Sequence, residues 1–196
     1  MEPESLSVDS CTRCPELVES RTRIVNGTGP QDADLLFVGE APGEQEDREG
    51  EPFVGRSGDI LDEVLGAHGL DRAAVRITNC VRCRPPDNRD PRTEELENCR
   101  EYLEAEILGV DPAVIVTLGK VPSEHLLDRS VAVTAEAGST DAVTIDGRSF
   151  PVLVCVHPAA SLYDPSQRDT LESAIDRAAD FAGAGGDGGQ SKLGEF

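Results

Sequence analysis

The fold of this chain is constrained most strongly by four short apolar runs that alternate with segments of helical periodicity. The runs are rich in β-branched residues and bounded by turn residues, as buried parallel strands are, and they cover residues 34–39, 75–79, 113–118 and 151–156. Apolar residues recur at helical spacing in residues 57–67, 92–107, 121–127 and 166–182. Strands that alternate with helices predict an α/β fold, a three-layer α/β/α sandwich around a central four-stranded parallel sheet.

The chain length of 196 residues favours one domain, which we expect to span residues 1–182. The glycine-rich residues 183–196 are predicted to form a disordered tail. Within the domain, the dipeptide Asp146-Gly147 predicts the turn of a hairpin in residues 129–150, inserted before the last strand.

The charge of the chain is strongly negative, with 38 acidic against 18 basic residues and a net charge of −20. Only Lys120 and Lys192 are lysines, and a carboxylate-rich, lysine-poor surface suggests a salt-loving source, a halophilic archaeon. The chain contains neither an apolar run of the roughly 18 residues that a membrane span needs nor a signal peptide at its start, so we expect a cytoplasmic protein without membrane contact.

Three strand ends carry polar residues that are suited to a binding site. Glu40, Asn79 and His157 each follow a predicted strand, and ligands of such sheets bind beyond the carboxyl ends of the strands. A carboxamide can read the edge of a nucleobase, and an imidazole can donate to an oxygen that gains negative charge. Phe53 lies on a glycine-bounded loop and is a candidate stacking platform.

The cysteines predict a metal or iron-sulfur site. Cys11 and Cys14 form a Cys-x-x-Cys pair, and Cys83 and Cys99 flank a proline-rich segment. Spacing alone favours a zinc site, because Cys80 and Cys83 form a second Cys-x-x-Cys pair that would join Cys11 and Cys14 as ligands.

The order of these motifs resembles that of the family-4 uracil-DNA glycosylases, which are iron-sulfur proteins. The resemblance runs nearly from end to end of the chain. It is carried by Cys11-x-x-Cys14, Gly39-Glu-Ala-Pro-Gly43, Gly50-x-Pro-Phe-Val-Gly-Arg-Ser-Gly58, Thr78-Asn79, Cys83-Arg-Pro-Pro-x-Asn-Arg-Asp-Pro91, Cys99-Arg100 and His157-Pro158.

The resemblance implies that a [4Fe–4S] cluster is bound by Cys11, Cys14, Cys83 and Cys99. It selects Cys99 over Cys80, which leaves Cys80 and Cys155 as buried free thiols. A structural role is expected for the cluster, because cleavage of a glycosidic bond transfers no electron.

The reaction that the resemblance implies is hydrolysis of the N-glycosidic bond of uracil in DNA, the first step of base excision repair. By analogy Asn79 reads the edge of uracil, Phe53 stacks on its face and His157 donates to its O2. Glu40, Ala41 and Pro42 are expected to close the pocket beside the sugar, and Glu40 is expected to be catalytic together with Asn79 and His157. Relatives carry a water-orienting carboxylate where this chain has Ala41, which leaves Glu40, Glu46, Asp47 or no carboxylate in that role.

The expected partner is uracil-containing DNA, single- or double-stranded, with a sliding clamp as a candidate protein partner and a monomer as the expected state. A local basic rim must offset the acidic surface. Candidate DNA contacts are Arg56, Arg84, Arg89, Leu162 and Tyr163, of which the last two can wedge into the base stack. Arg82 and Arg92 lie in the same cluster, and ion pairing with neighbouring acids is the alternative for two of its four arginines.

Two other interpretations stay open on the sequence. One is a non-catalytic uracil- or DNA-binding protein of the same fold, which Ala41 would allow. The other is a zinc-binding, nucleotide-handling enzyme, although Pro42 stands where a phosphate-binding loop needs a free amide.

Overall fold

The computed structural model describes residues 6–185 and contains a five-stranded sheet in the order β2-β1-β3-β5-β4. The strands are β1 (Leu35–Gly39), β2 (Arg76–Asn79), β3 (Val114–Leu118), β4 (Thr140–Ile145) and β5 (Arg148–Cys155). Four of them, β1, β2, β3 and β5, are mutually parallel, as predicted. The carboxyl ends of these four strands therefore lie at one edge of the sheet.

The prediction of a four-stranded sheet is wrong in its strand count, because the hairpin joins the sheet. β4 pairs with β5 in antiparallel register, from Thr140 opposite Leu153 to Ile145 opposite Arg148. The turn residues Asp146 and Gly147 have φ values of 48° and 77°, the left-handed values that a tight hairpin turn requires. The second arm of the hairpin and the last parallel strand are one continuous strand.

The four predicted helices are all present, with ends shifted by up to three residues. The helices are α1 (Pro15–Ser20), α2 (Glu44–Glu49), α3 (Arg56–Ala67), α4 (Thr93–Val110), α5 (Lys120–Leu127), α6 (Val133–Glu136) and α7 (Ser166–Gly185). The tail predicted from residue 183 thus begins with three residues of α7, and residues 186–196 lie outside the described residues.

Alternate residues of the strands face two separate cores, which confirms the three-layer architecture. In β1, Leu35 and Phe37 pack with the apolar side chains of α3 and α7. Leu36 and Val38 face the opposite side and pack with those of α4 and α5. A sheet covered on both faces leaves its strand ends as the place for a site. Among residues 6–185, no helix has the length and apolarity needed to cross a membrane.

Candidate functional site

A cavity of about 340 Å³ lies at the carboxyl edge of the sheet. Its lining comes from the ends of β1, β2 and β5, from the segment between β1 and α3, and from the first turn of α3. The lining residues are Glu40, Ala41, Gly43, Glu46, Phe53, Ser57, Asn79 and His157. The structure therefore brings together the three polar residues that the sequence placed at separate strand ends.

The pairing of β1 with β2 positions Asn79 in the cavity. Gly39 lies opposite Asn79 in the parallel register, and the amide of Cys80 donates to the carbonyl of Gly39 at 2.9 Å. A Cβ atom at position 39 would overlap both Asn79 Oδ1 and the Phe53 ring, so only glycine allows this approach. Within residues 6–185 the Asn79 carboxamide has no hydrogen-bond partner, although the residue is 4% exposed. Its donor and its acceptor are therefore available to a ligand.

His157 is held as a neutral imidazole with one defined tautomer. Its Nδ1 accepts a hydrogen bond from the amide of Ala159 at 3.1 Å. An Nδ1 that accepts leaves the proton of a neutral ring on Nε2. Burial lowers the pKa of His157, and the Glu46 carboxylate opposes this shift only in part. The side chain is therefore a hydrogen-bond donor through Nε2 at neutral pH.

Phe53 is buried in the cavity wall in a backbone conformation that is unfavourable for its residue type. Its φ is 56°, in the left-handed region, which costs on the order of 1–3 kcal/mol for a residue other than glycine. Its ring lies 5.8 Å from the imidazole of His157, at an interplanar angle of 30°. Arg72 donates to the carbonyl oxygens of Pro52 and Phe53, a contact that sequence reasoning missed.

Glu40 has the strongest pKa shift among the cavity residues. Burial, and secondarily the nearby Asp90 carboxyl, raise its pKa to about 7. A carboxyl with such a pKa changes charge near neutral pH, as acid-base and charge-stabilising groups of enzymes often do. Asp90 belongs to the predicted Cys83 loop but was not among the predicted site residues.

The other residues predicted to lie beside Glu40 in the site have different locations, some in the cavity lining and some outside it. Glu46 lines the cavity and accepts from the amide of Gly43 at 3.1 Å, whereas Asp47 accepts from the amide of Thr22 at 2.9 Å with both carboxylate oxygens. Asp47 thus fastens the amino-terminal segment. Ala41 lines the cavity, as expected for a pocket residue. Pro42 is buried and is not among the described residues that line the cavity.

The four cysteines of the predicted cluster site lie together. Cys83, Cys99 and Cys14 pack in one small apolar cluster, and Cys83 lies within electrostatic range of Cys11. Arg21 Nη1 donates to Cys83 Sγ at 2.8 Å, and its Nη2 donates to the carbonyl oxygen of Cys11 at 2.7 Å. The side-chain amide of Asn98 donates to Cys14 Sγ at 3.5 Å. Hydrogen-bond donors directed at sulfur are typical of sites that hold thiolates.

Cys80 lies outside this group. It is buried in the core on the α4 side of the sheet, where it packs with apolar side chains such as Leu36 and Leu103. The zinc ligand set suggested by spacing, which required Cys80, is therefore not supported. Among the described residues, no three cysteine, histidine or carboxylate side chains are close enough to share a single metal ion. A four-iron cluster distributes its four thiolates over separate irons, so the set of four cysteines fits that group better.

The predicted basic rim is mostly neutralised by acids. Arg89 forms a two-pronged ion pair with Glu95, at 2.7 and 2.8 Å, and also contacts Glu16. Arg82 is buried and paired with Glu106 at 2.8 Å, and Arg92 pairs with Glu16. All four clustered arginines thus have a carboxylate within 4 Å, two more than expected, although the Arg84 contact with Glu44 is the longest at 3.9 Å. Arg89 is a poor candidate for a phosphate contact.

Arg84 and Arg56 are better placed to meet DNA. Arg84 donates from Nε to the Asn88 side chain at 2.8 Å, and its nearest carboxylate, Glu44, is 3.9 Å away. Arg56 is exposed at the start of α3, and within residues 6–185 no carboxylate forms an ion pair with it. It lines a surface groove together with Ser57, which also lines the cavity.

The residues after His157 form an exposed apolar projection. A short 3₁₀ helix (Pro158–Leu162) follows the histidine and presents Leu162 and Tyr163, which are 42% and 89% exposed. They are the only large apolar side chains that stand out in this way among the described residues. Their action as a wedge in the base stack stays a prediction.

Comparison with known proteins shows the family to which the chain belongs. A sequence model of the Uracil DNA glycosylase superfamily matches residues 26–180. The type-4 uracil-DNA glycosylase of Archaeoglobus fulgidus is 39% identical over 178 residues, 89% of either chain. That of Thermotoga maritima is 45% identical over 140 residues, 71% of this chain and 72% of the relative. A type-5 uracil-DNA glycosylase of Pyrobaculum aerophilum is 30% identical over 206 aligned positions, 89% of this chain and 90% of the relative.

The chain therefore has the fold of the uracil-DNA glycosylase superfamily. Within that superfamily, the chain belongs to the type-4 uracil-DNA glycosylases.

Proposed function

We propose that the protein hydrolyses the N-glycosidic bond between uracil and deoxyribose in DNA and so begins base excision repair. The observation that carries this proposal is the cavity that combines an unpaired Asn79 carboxamide, the Phe53 ring and a neutral His157. The Asn79 carboxamide can donate to O4 of uracil and accept from its N3–H, while the ring face of Phe53 can stack on the base. The target bond is hidden in a duplex, so the nucleotide must rotate out of the stack to reach the cavity.

His157 stabilises the leaving group in this mechanism. When the bond from C1′ to N1 breaks, the electron pair departs with uracil and negative charge accumulates on O2. The Nε2–H of a neutral imidazole donates to that oxygen and gains strength as the charge grows. The hydrogen bond from the Ala159 amide to Nδ1 supports this assignment, because it fixes the tautomer that can donate.

Glu40 acts on the sugar side of the bond. Loss of uracil leaves positive charge on the deoxyribose, and an ionised carboxylate beside the cavity stabilises that charge. Water then adds to C1′ and releases a proton, which gives free uracil and an abasic site. Ala41 offers no carboxylate, Asp47 faces Thr22, and Glu46 accepts hydrogen bonds from the amides of Gly43 and Gly55. We therefore assign the carboxylate role to Glu40, with its pKa near 7.

We further propose that Cys11, Cys14, Cys83 and Cys99 hold a [4Fe–4S] cluster. The cluster supplies a structural cross-link between the amino-terminal segment, the loop after β2 and α4. Arg21 and Asn98 stabilise the sulfur ligands by hydrogen bonds. Thiols of this kind need a reducing compartment, which supports a cytoplasmic location. A halophilic source, a monomeric state and a sliding-clamp partner stay predictions.

DNA approaches, on this proposal, over the cavity edge that carries Arg56, Arg84, Leu162 and Tyr163. Two cations are few for a chain of net charge −20, so insertion of apolar side chains contributes more than phosphate contacts. The amide groups at the start of α3, beside Arg56, also suit a phosphate.

The test is incubation of the anaerobically purified protein with a uracil-containing oligonucleotide and with its thymine counterpart, followed by alkali to break abasic sites. The reaction is run at low and at multimolar potassium chloride. We expect uracil-dependent cleavage that is lost in Asn79→Ala. A cluster-loaded protein that binds the uracil oligonucleotide without cleaving it at either salt concentration would favour a non-catalytic binding protein.

A further inference from the structure

The loop that carries Phe53 is fastened from outside the cavity by one side chain. Arg72 lies between α3 and β2 and donates from Nη1 to the Pro52 carbonyl oxygen at 3.0 Å and from Nη2 to that of Phe53. Its Nε donates to Asp62 Oδ1 at 2.7 Å, so a carboxylate on α3 orients the guanidinium. One planar group thus joins two consecutive carbonyls to the helix, a geometry that the single nitrogen of lysine cannot reproduce.

The peptide held in this way is the one with unfavourable backbone geometry. Phe53 has a φ of 56°, a conformation that persists only where surrounding contacts impose it. Gly58 allows this conformation because it has no side chain: a Cβ atom there would overlap the carbonyl oxygen of Phe53. The Arg72 hydrogen bonds act from the same side as this contact and offset the local cost.

The conformation of this peptide sets the direction of the Phe53 ring. The ring packs against the Cα of Gly39 and lies 5.8 Å from the imidazole of His157. If residue 53 relaxed to an extended or right-handed conformation, its side chain would leave this position. The contacts of the Phe53 ring do not fix the φ angle of this residue, because they involve only its side chain. Arg72, in contrast, binds the backbone carbonyls of the loop.

We propose that Arg72 is a positioning residue that holds the Phe53 ring in the cavity and thereby sets the affinity of the site for the uracil base. Arg72 touches neither substrate nor the reacting atoms in this proposal, and it acts through Phe53 alone. The inference rests on the proposed function, because it assumes that Phe53 stacks on uracil.

The test is a double-mutant cycle read by the inhibition constant of free uracil against the oligonucleotide reaction. We expect Arg72→Ala to raise this constant by about tenfold, within the range that loss of a base-stacking ring causes. In the Phe53→Ala background the same substitution should have no further effect, because the ring through which Arg72 acts is gone. Arg72→Lys keeps a positive charge near Asp62 but cannot span both carbonyls, so we expect it to resemble Arg72→Ala.

The matched control is Arg168→Ala. Arg168 also pairs with a carboxylate of α3, Glu63, at 3.1 Å, but it does not contact the Phe53 loop. We expect its loss to leave the inhibition constant unchanged. The midpoint of urea unfolding is measured for every variant, so that a general loss of stability is seen separately; if Arg72→Ala does not fold, Arg72→Lys carries the comparison.

Two results would overturn the proposal, and they are distinguishable. An equal rise of the inhibition constant on replacing Arg72 in the presence and in the absence of the Phe53 ring would show that Arg72 does not act through it, while the proposed function would stand. An unchanged constant in Phe53→Ala itself would remove the stacking role through which Arg72 acts, whereas the proposed function would fail only if no uracil-dependent cleavage occurred.

Discussion

The rings of Phe53 and His157 lie 5.8 Å apart and are inclined by 30° across the cavity at the carboxyl edge of the sheet. A base stacked on Phe53, as proposed above, would therefore lie close to the imidazole. On the proposed function, this relationship joins base binding to leaving-group stabilisation, because the ring on which the base stacks also determines where its O2 lies. The chemistry depends on both residues being held, one by its backbone and the other by the Ala159 amide.

Removal of the imidazole should cost catalysis more than binding. We expect His157→Ala to lower the single-turnover rate of uracil release by about 10²- to 10³-fold, as loss of one donor to a developing anion does elsewhere. The rate is measured at saturating protein on a uracil oligonucleotide. His68→Ala is the control, since His68 bonds to the carbonyl of Val64 outside the cavity. An unaltered rate in His157→Ala would remove this residue from the mechanism.

The reaction rate should rise with pH as Glu40 ionises. Burial and Asp90 raise its pKa from 4.5 to about 7, so the carboxylate that stabilises the sugar forms only as the pH passes through 7. We expect single-turnover rates to increase with a midpoint near pH 7, and Glu40→Gln to lower the plateau and flatten the profile. A profile with the same midpoint in Glu40→Gln would assign the titration to another group.

The same ionisation should destabilise the fold. Because the pKa of Glu40 is higher in the folded than in the unfolded state, its contribution to stability is fully present below about pH 4.5 and is lost as the pH rises through 7. Glu40→Gln has no such dependence. We therefore expect the difference in urea midpoint between Glu40→Gln and wild type to shift in favour of the variant from pH 4.5 to pH 8. A difference that does not change with pH would contradict the raised pKa.

The sheet could be predicted from the sequence because its signal is local. Short β-branched runs bounded by turn residues indicate each parallel strand, and Asp146-Gly147 indicates the hairpin turn. The continuity of β5 could not be predicted, because Pro151, which has no N–H to donate, stands where the predicted hairpin of residues 129–150 meets the apolar run 151–156. In the structure Pro151 lies just before the pairing with β3, which begins at Val152, so the missing donor does not interrupt that ladder.

The candidate site was predictable where it follows strand ends and, for Phe53, where a glycine-bounded loop carries an aromatic residue. Glu40, Asn79 and His157 follow strand ends, and the order of strands in the sheet brings them together. Arg72 was not predictable, since no local pattern indicates that a guanidinium will bind carbonyls 19 and 20 residues earlier in the chain. Charge counts were equally uninformative about the second partner of Arg89, Glu16, which is 73 residues away.

The hydrogen bond from Arg21 to Cys83 should matter for cluster retention. We expect Arg21→Leu to weaken iron binding by about 10- to 100-fold, the usual effect of losing a residue that supports a metal ligand. The measurement is the rate at which a chelator bleaches the visible absorbance of the anaerobically prepared protein. Arg48→Leu is the control, because it removes an exposed arginine that pairs with Glu44 away from the sulfurs. Equal bleaching rates in the two variants would show that the Arg21 contact does not support the cluster.

The exposed pair Leu162 and Tyr163 should matter only when the base must be removed from a stack. A side chain that fills the space left by a rotated nucleotide offsets part of the energy needed to unstack a base in duplex DNA. A single-stranded substrate does not need this compensation. We expect Tyr163→Ala and Leu162→Ala each to lower the rate on duplex DNA by roughly tenfold. Unstacking a base costs a few kcal/mol, and loss of about 1.4 kcal/mol of the energy that offsets this cost corresponds to a tenfold slower reaction. The rate on the single-stranded oligonucleotide should change little and serves as the internal control. An equal loss on both substrates would show that these side chains contribute general DNA affinity and do not act as a wedge.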